Sequence, residues 1–192
     1  MAVPWMAHFM LEQDLLREWI KKAKAGDPDA FERILLLHER TVLRFAERLL
    51  GNSEDAKDAA QEVFVRLHRH LGRFREESEF GPWLYRVTAN VCHDARRRRK
   101  PAVPADEIEI FDPAPTPEQE LTAAQNHALL MSALETLSEH ERAAIVLRDM
   151  ESCTTAEVAR ILGSSETTVR SQISTGRVKI RNFLMKKLRR RA

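Results

Sequence analysis

The stretch TTAEVARILGSSETTVRSQISTGRVKIRNFL, residues 154–184, decides the fold. Thr154 with Glu157 three residues on has the form of a capping box, in which each side chain satisfies a backbone amide at a helix start. Val158, Ile161 and Leu162 then share one face of a short helix expected over about 155–162. Gly163 in LGSS supplies a tight turn, and a longer basic helix is expected over about 166–185. Val169, Ile173 and Ile180 lie on its inner side. Its outer side carries Ser165, Glu166, Thr167, Thr168, Arg170, Ser171, Ser174 and Arg177. Short polar side chains at the start of an exposed helix permit close approach to a groove, where they can hydrogen-bond base edges or phosphates. A short helix, a glycine turn and a basic helix make a helix-turn-helix, a unit suited to duplex DNA.

Upstream, a further helix is expected over about 139–149, opened by a second capping box at Ser138 and Glu141, and a third box stands at Thr116 and Gln119. Before them lies PAVPADEIEIFDPAPTP, with five prolines and no helical period, which reads as an extended linker. Residues 27–100 carry another helical pattern. GDP at 26–28 places Asp27 as N-cap and Pro28 in the first helical position. Phe31, Leu35, Val42, Phe45 and Leu49 follow on one face, and Gly51 closes the helix. A third helix turns Ala56, Ala60, Val63, Phe64 and Leu67 inward up to Gly72. A fourth starts near Phe80 and ends in the run ARRRRKP, residues 95–101. The chain is therefore expected to be all-α: a helix at about 9–25 within an extension over 1–26, a bundle over 27–100, a linker over 101–116 and a helix-turn-helix domain over 117–192.

Charge follows the same division. Residues 1–100 hold 19 Lys and Arg against 16 Asp and Glu, residues 101–136 hold none against seven, and residues 137–192 hold 12 against six. Two basic modules that meet polyanions, joined by a connector that polyanions repel, fit this pattern. The hydrophobic fraction of 43% supports a packed core, and no apolar run approaches the ~18 residues of a membrane span. The mildly apolar N-terminus lacks a basic start and reads as a helix lead-in, not a secretory signal. Cys92 and Cys153 stand far apart, outside any CxxC, so neither a disulfide framework nor a zinc site is expected, and the setting reads as cytoplasmic. The seven histidines are scattered without metal-ligand spacing, and no phosphate loop or nucleophile elbow occurs. No catalytic role, metal or cofactor is expected.

Two segments of the first module complete the argument. SEDAKDAAQEVF presents Asp55, Asp58, Gln61 and Glu62 outward, an acidic face suited to a basic protein surface. WLYRVTANVCHDARRRRK sets Trp83, Arg86, Asn90 and Asp94 ahead of five cations, a combination suited to single-stranded or melted DNA. On these residues the chain resembles the extracytoplasmic-function (ECF, group IV) sigma factors of bacterial RNA polymerase. The polymerase-binding pattern D-x-x-Q-E-x-F is met by Asp58, Gln61, Glu62 and Phe64. FGPWLYRVTANVCHDARRRRK resembles the segment that melts and reads the −10 promoter element, and residues 137–184 resemble the −35-reading region.

The resemblance implies binding to core polymerase, through the clamp of its largest subunit and the flap of its second, by Asp55, Asp58, Gln61, Glu62, Phe64 and Leu67. It implies −10 contacts by Trp83, Arg86, Asn90, Asp94, Arg96, Arg97 and Lys100, and −35 contacts by the outer face of the last helix. An anti-sigma factor is a further partner such proteins take. The acidic linker, with Asp106, Glu107, Glu109 and Asp112, would occupy basic channels of the polymerase. The chain departs from the family at SCTT (152–155) and at SQISTGR (171–177), where Gln172 and Thr175 replace frequent arginines and Gly176 sits mid-helix. Two rival readings are a stand-alone helix-turn-helix regulator and a helical-bundle enzyme or metalloprotein.

Consecutive helical residues point ~100° apart, so the basic run cannot face one strand entire. Arg96, Arg97 and Lys100 are expected to grip phosphates while Asn90 reads bases. Arg97→Ala should then flatten the salt dependence of promoter binding by a little under one unit of slope and leave start-site choice unchanged. Altered start sites in mapped transcripts would refute that division.

Overall fold

Cap chemistry sets where each helix begins and stops. The computed structural model describes residues 4–75, 79–98 and 117–189, and among them every regular element is helical. Helix α1 spans Pro4–Lys24 and α2 spans Pro28–Leu50. Asp27 caps α2 by accepting from the amides of Asp29 and Ala30 at 3.0 and 3.1 Å, and Gly51 ends it in the left-handed region at φ 89°. Helix α3, Ser53–His70, is capped by Asn52, and a 3₁₀ turn at Leu71–Arg73 leads away from it. Helix α4 spans Phe80–Arg98.

These four helices pack as one bundle, with α2 against α1, α3 and α4. Val42, Phe45, Ala56, Val63, Leu67, Leu84 and Val91 fill it. The first helix starts earlier than the position near residue 9 expected from sequence, because Pro4 suits the first helical turn. It is also an integral wall of the bundle. Ile20 is buried, Leu16, Trp19 and Ala23 pack beside it, and the Lys24 ammonium donates to the Phe74 carbonyl at 3.0 Å. Phe74, Phe80 and Trp83 close the far end with ring centroids 5.0 to 5.7 Å apart.

The second module starts with α5, Pro117–Glu135, followed by α6, Glu139–Ile145. The helix expected to run on to residue 149 instead relaxes into a π-helical turn at Val146–Met150. Helix α7 spans Thr155–Leu162, and α8 spans Glu166–Arg189. The capping boxes at Ser138/Glu141 and Thr154/Glu157 are both formed. That expected at Thr116, like the linker with its four acidic residues, lies outside the described residues. Gly163 ends α7 at φ 61°, and Ser165 caps α8 by accepting the Thr168 amide at 3.1 Å.

Helix α8 lies across α6 and α7, with Val169 and Ile173 buried and Ile180 half-buried between them. Gly176 is a point of close approach. A Cβ there would stand 2.8 Å from Ile145 Cγ1 and 3.3 Å from its Cδ1, and Ile145 is itself buried. Propensity alone makes this glycine a cost of ~1 kcal/mol relative to alanine. The contact reverses the sign, since overpacking a buried isoleucine costs about 1–3 kcal/mol. Gly176→Ala should therefore destabilise the protein by about 1 kcal/mol in urea denaturation. In an Ile145→Ala background the same change should be neutral or stabilising, because the obstructing atoms are gone.

Candidate nucleic-acid and polymerase interface

Three surfaces carry the residues singled out by sequence. On α3, Asp58 and Gln61 are exposed and Glu62 is half-buried, forming an acidic strip along one side. Glu62 accepts from Arg66 at 2.7 Å, and that hydrogen bond holds its carboxyl below the usual range. Asp55 serves the helix start: its amide donates to Asn52 Oδ1 at 2.8 Å and its carboxylate accepts from Asn52 Nδ2 at 2.6 Å. Phe64 is half-buried against the core. Leu67 has no exposed surface. It supports the strip from inside and presents nothing to a partner: periodicity turned it inward, as the fold does, and the resemblance alone placed it among the partner contacts.

On α4, Arg86, Asn90 and Arg97 are exposed along one side. Their neighbours are more engaged than sequence suggested. Trp83 sits in the aromatic trio with Phe74 and Phe80 and keeps only part of its ring accessible. Asp94 accepts from Arg66 of α3 at 3.1 Å, which ties the two helices together. Arg96, expected to grip phosphate, turns inward and donates to the Leu49 carbonyl at 3.1 Å. The end of α2 needs donors for its free carbonyls, and Arg96 is within reach of one. Lys100 lies outside the described residues.

The second module packs against the flank of α4 next to this face, so Asn90 and His93 lie where the two meet. His93 pairs with Glu139 of α6 at 2.6 Å, and Asn90, His93, Arg96, His140 and Leu162 line a crevice of about 220 Å³ between them. Tyr85 donates its hydroxyl to Glu151 at 2.6 Å, and the same carboxylate accepts from Arg48 of α2 at 2.5 Å. Burial pushes the Tyr85 phenol well above its usual range, with the Glu151 hydrogen bond adding to the effect. Arg142 of α6, buried, donates to the Leu49 carbonyl at 2.9 Å. Burial drives its guanidinium down to about 10, with neighbouring Arg96 adding to the effect. Sequence reasoning missed Arg48, Arg142 and Glu151. The one signal for Arg142 was a cation opening the apolar run RAAIVL.

On α8, Thr167, Arg170, Ser171, Ser174 and Arg177 form an open face. Ser165 and Thr168 are shared with capping, their hydroxyls 2.8 Å apart. Arg170 pairs with Glu166 at 2.5 Å, and Arg177 forks onto Asp149 at 2.5 and 3.0 Å. Both cysteines are free and buried, and burial raises the Cys92 thiol to about 12 and Cys153 to about 11. Among the described residues, no group of three or more His, Cys, Asp or Glu side chains could hold a metal, and no helix is long and apolar enough to cross a membrane.

Comparison with known proteins follows the two modules. Residues 34–101 match the family described as Sigma-70 region 2, and residues 127–180 match Sigma-70, region 4. The chain is 30% identical over 191 residues to the RNA polymerase sigma-H factor of Pseudomonas aeruginosa, covering 94% of this chain and 99% of that protein. It is 34% identical over 198 residues to the ECF RNA polymerase sigma factor SigE of Mycolicibacterium smegmatis, covering 94% and 76%. Among solved structures, CnrH in complex with the cytosolic domain of CnrY superposes with a TM-score of 0.69 at 24% identity, over 90% of this chain and 98% of that one. That likeness supports the two-module helical fold.

The carboxylate of Glu151 joins the modules through two donors, and its side chain is only 12% exposed. Glu151→Ala should cost about 2 kcal/mol and Tyr85→Phe about 1 kcal/mol in chemical denaturation. The double variant should cost less than both together, because each removes part of the same cluster.

Proposed function

We propose a function on the premise that this chain belongs to the ECF sigma factors of the sigma-70 family. It is an alternative-type sigma factor, a subunit that joins core RNA polymerase and directs initiation at chosen promoters. The observation that carries this is the order of the matches: a region 2 module and a region 4 module in one chain, each with its own exposed face. A stand-alone helix-turn-helix regulator would account for the second module and leave the first without a purpose. Sigma factors act without catalysis of their own, and an enzymatic reading has no support in the residues.

The exposed strip at Asp58 and Gln61, with Glu62 and half-buried Phe64, is suited to a basic element of the polymerase clamp. The outer side of α4, with Arg86, Asn90 and Arg97, is suited to the non-template strand of the −10 element, an amide for base edges and cations for phosphates. The outer side of α8 is suited to the −35 major groove. Two weak contacts become one strong one when both modules ride on the same polymerase, because the second contact is then intramolecular. Work of this kind takes place beside the chromosome, in the cytoplasm, and an anti-sigma factor is a natural regulator of it.

Reconstitution with core polymerase and mapping of transcript starts on genomic DNA tests the reading; a chain that neither associates with core nor starts transcripts is no sigma factor. The paired change Asp58→Ala with Gln61→Ala should weaken core association about tenfold, in the range of an interface hot spot, with the fold intact by circular dichroism. Asn90→Ala should keep core association and lose most open-complex formation. Equal loss of both activities in both variants would remove the proposed division between the two surfaces.

A further inference from the structure

Beside the outer face of α8 lies an open depression of about 510 Å³, and three guanidinium-bearing side chains, Arg148, Arg170 and Arg177, line it together with Thr155 and Ser174. The arginines come from two separate parts of the chain, the π-helical turn at 146–150 and the basic helix, so the fold assembles this concentration of charge. Each is occupied internally. Arg148 donates to the Cys153 carbonyl at 3.3 Å, and Arg170 pairs with Glu166 one turn away. Arg177 differs: its Nε and Nη2 both reach the carboxylate of Asp149, one oxygen each, across 28 positions of sequence. That fork-to-fork geometry is the one a guanidinium makes with a phosphate. Asp149 thus holds Arg177 in the grip a phosphate would take.

We propose that Asp149 is an internal stand-in for a DNA backbone phosphate, which displaces it from Arg177 when α8 enters the groove, so that Asp149 sets the strength of the duplex contact. The inference rests on the reading that α8 meets duplex DNA and adds a residue that regulates that meeting. The exchange is feasible because the pair is exposed, with side-chain exposures of 58% for Arg177 and 32% for Asp149. Exposed pairs are held weakly and yield to a better partner. After displacement the freed carboxylate stays beside the phosphate and repels it through solvent. It also retains a cation of its own, offsetting part of the counterion release that drives binding. Asp149 therefore weakens the contact twice, and keeps Arg177 aimed across the depression meanwhile.

The test uses the full chain and a labelled duplex of about 30 base pairs, titrated by fluorescence anisotropy between about 50 and 300 mM salt. Asp149→Asn should bind about three- to tenfold more tightly at low salt, with a slope steeper by roughly half to one unit. Arg177→Ala should bind more weakly than wild type, and in that background Asp149→Asn should bring no gain. Unchanged or weaker binding by Asp149→Asn overturns the proposal. So does a gain that persists without Arg177, which would reduce it to bulk charge. Thermal melts of each variant confirm that the module is folded. Initiation with core polymerase separates the premises: a wild-type chain that initiates while Asp149→Asn binds as wild type leaves the sigma reading standing and removes this inference. A wild-type chain that does not initiate removes the sigma reading, and one that also fails to bind the duplex removes this inference with it.

Discussion

One carbonyl organises the molecule. Leu49 lies in the last turn of α2, where helix geometry leaves backbone oxygens without internal partners. Its oxygen accepts from Arg96 of the first module at 3.1 Å and from Arg142 of the second at 2.9 Å. The negative end of the helix dipole favours both cations. Yet Arg142 is 3% exposed, and among the described residues no carboxylate is in hydrogen-bond contact with it, an expensive position for a charge. Its guanidinium remains charged near neutrality even when burial lowers it to about 10. Among the described residues its Nη1 finds the Leu49 carbonyl while its Nε is buried without a partner, so this acceptor ties the end of α2 and the last turns of α4 to the start of α6.

The rest of the module interface has the same character. Glu151 draws Arg48 and Tyr85 together, and His93 meets Glu139. Apolar contact is continuous across the modules, whose buried residues form one cluster, and these polar links lie beside it. These polar links fix the register of the two modules on each other, since each donor and acceptor beside the shared core must find its partner. They also explain why Arg96 and Tyr85, placed among nucleic-acid contacts or near them by sequence, are drawn away from solvent while Arg86 and Arg97 on the same helix are not.

Much of this architecture is legible in the sequence alone. The caps at Asp27, Ser138 and Thr154 and the left-handed glycines Gly51 and Gly163 are local chemistry, settled within a few residues. The helix-turn-helix and the exposed face of α8 follow from a period of 3.6 and need nothing further. What escapes is set by partners distant in sequence. Periodicity places Asp94 on a face without saying what lies opposite. In the fold, Asp94 meets Arg66, 28 residues away. Gly176 shows the limit most sharply. Propensity marks it as a defect, whereas the Ile145 side chain 2.8 Å from its missing Cβ makes it the residue that lets α8 seat.

The same distinction bears on charge. Counting cations along residues 137–192 gives a basic module, but count is not availability. Lys179 is bound by Glu141, Arg177 by Asp149 and Arg170 by Glu166, so much of the positive face of α8 is neutralised in place. A helix with bare arginines would bind any polyanion it met, and non-specific DNA outnumbers specific sites enormously. Internal carboxylates lower that background, because a phosphate must displace them before it gains the arginine. They lower the specific contact as well, by a similar amount for each arginine exchanged. The loss can be recovered where base-edge hydrogen bonds and tethering to polymerase add to the contact, and those additions exist only at a promoter. Equal weakening leaves the ratio of the two unchanged and lowers only how much of the chain non-specific DNA would hold, so the choice of site falls to the base-edge hydrogen bonds and the tether.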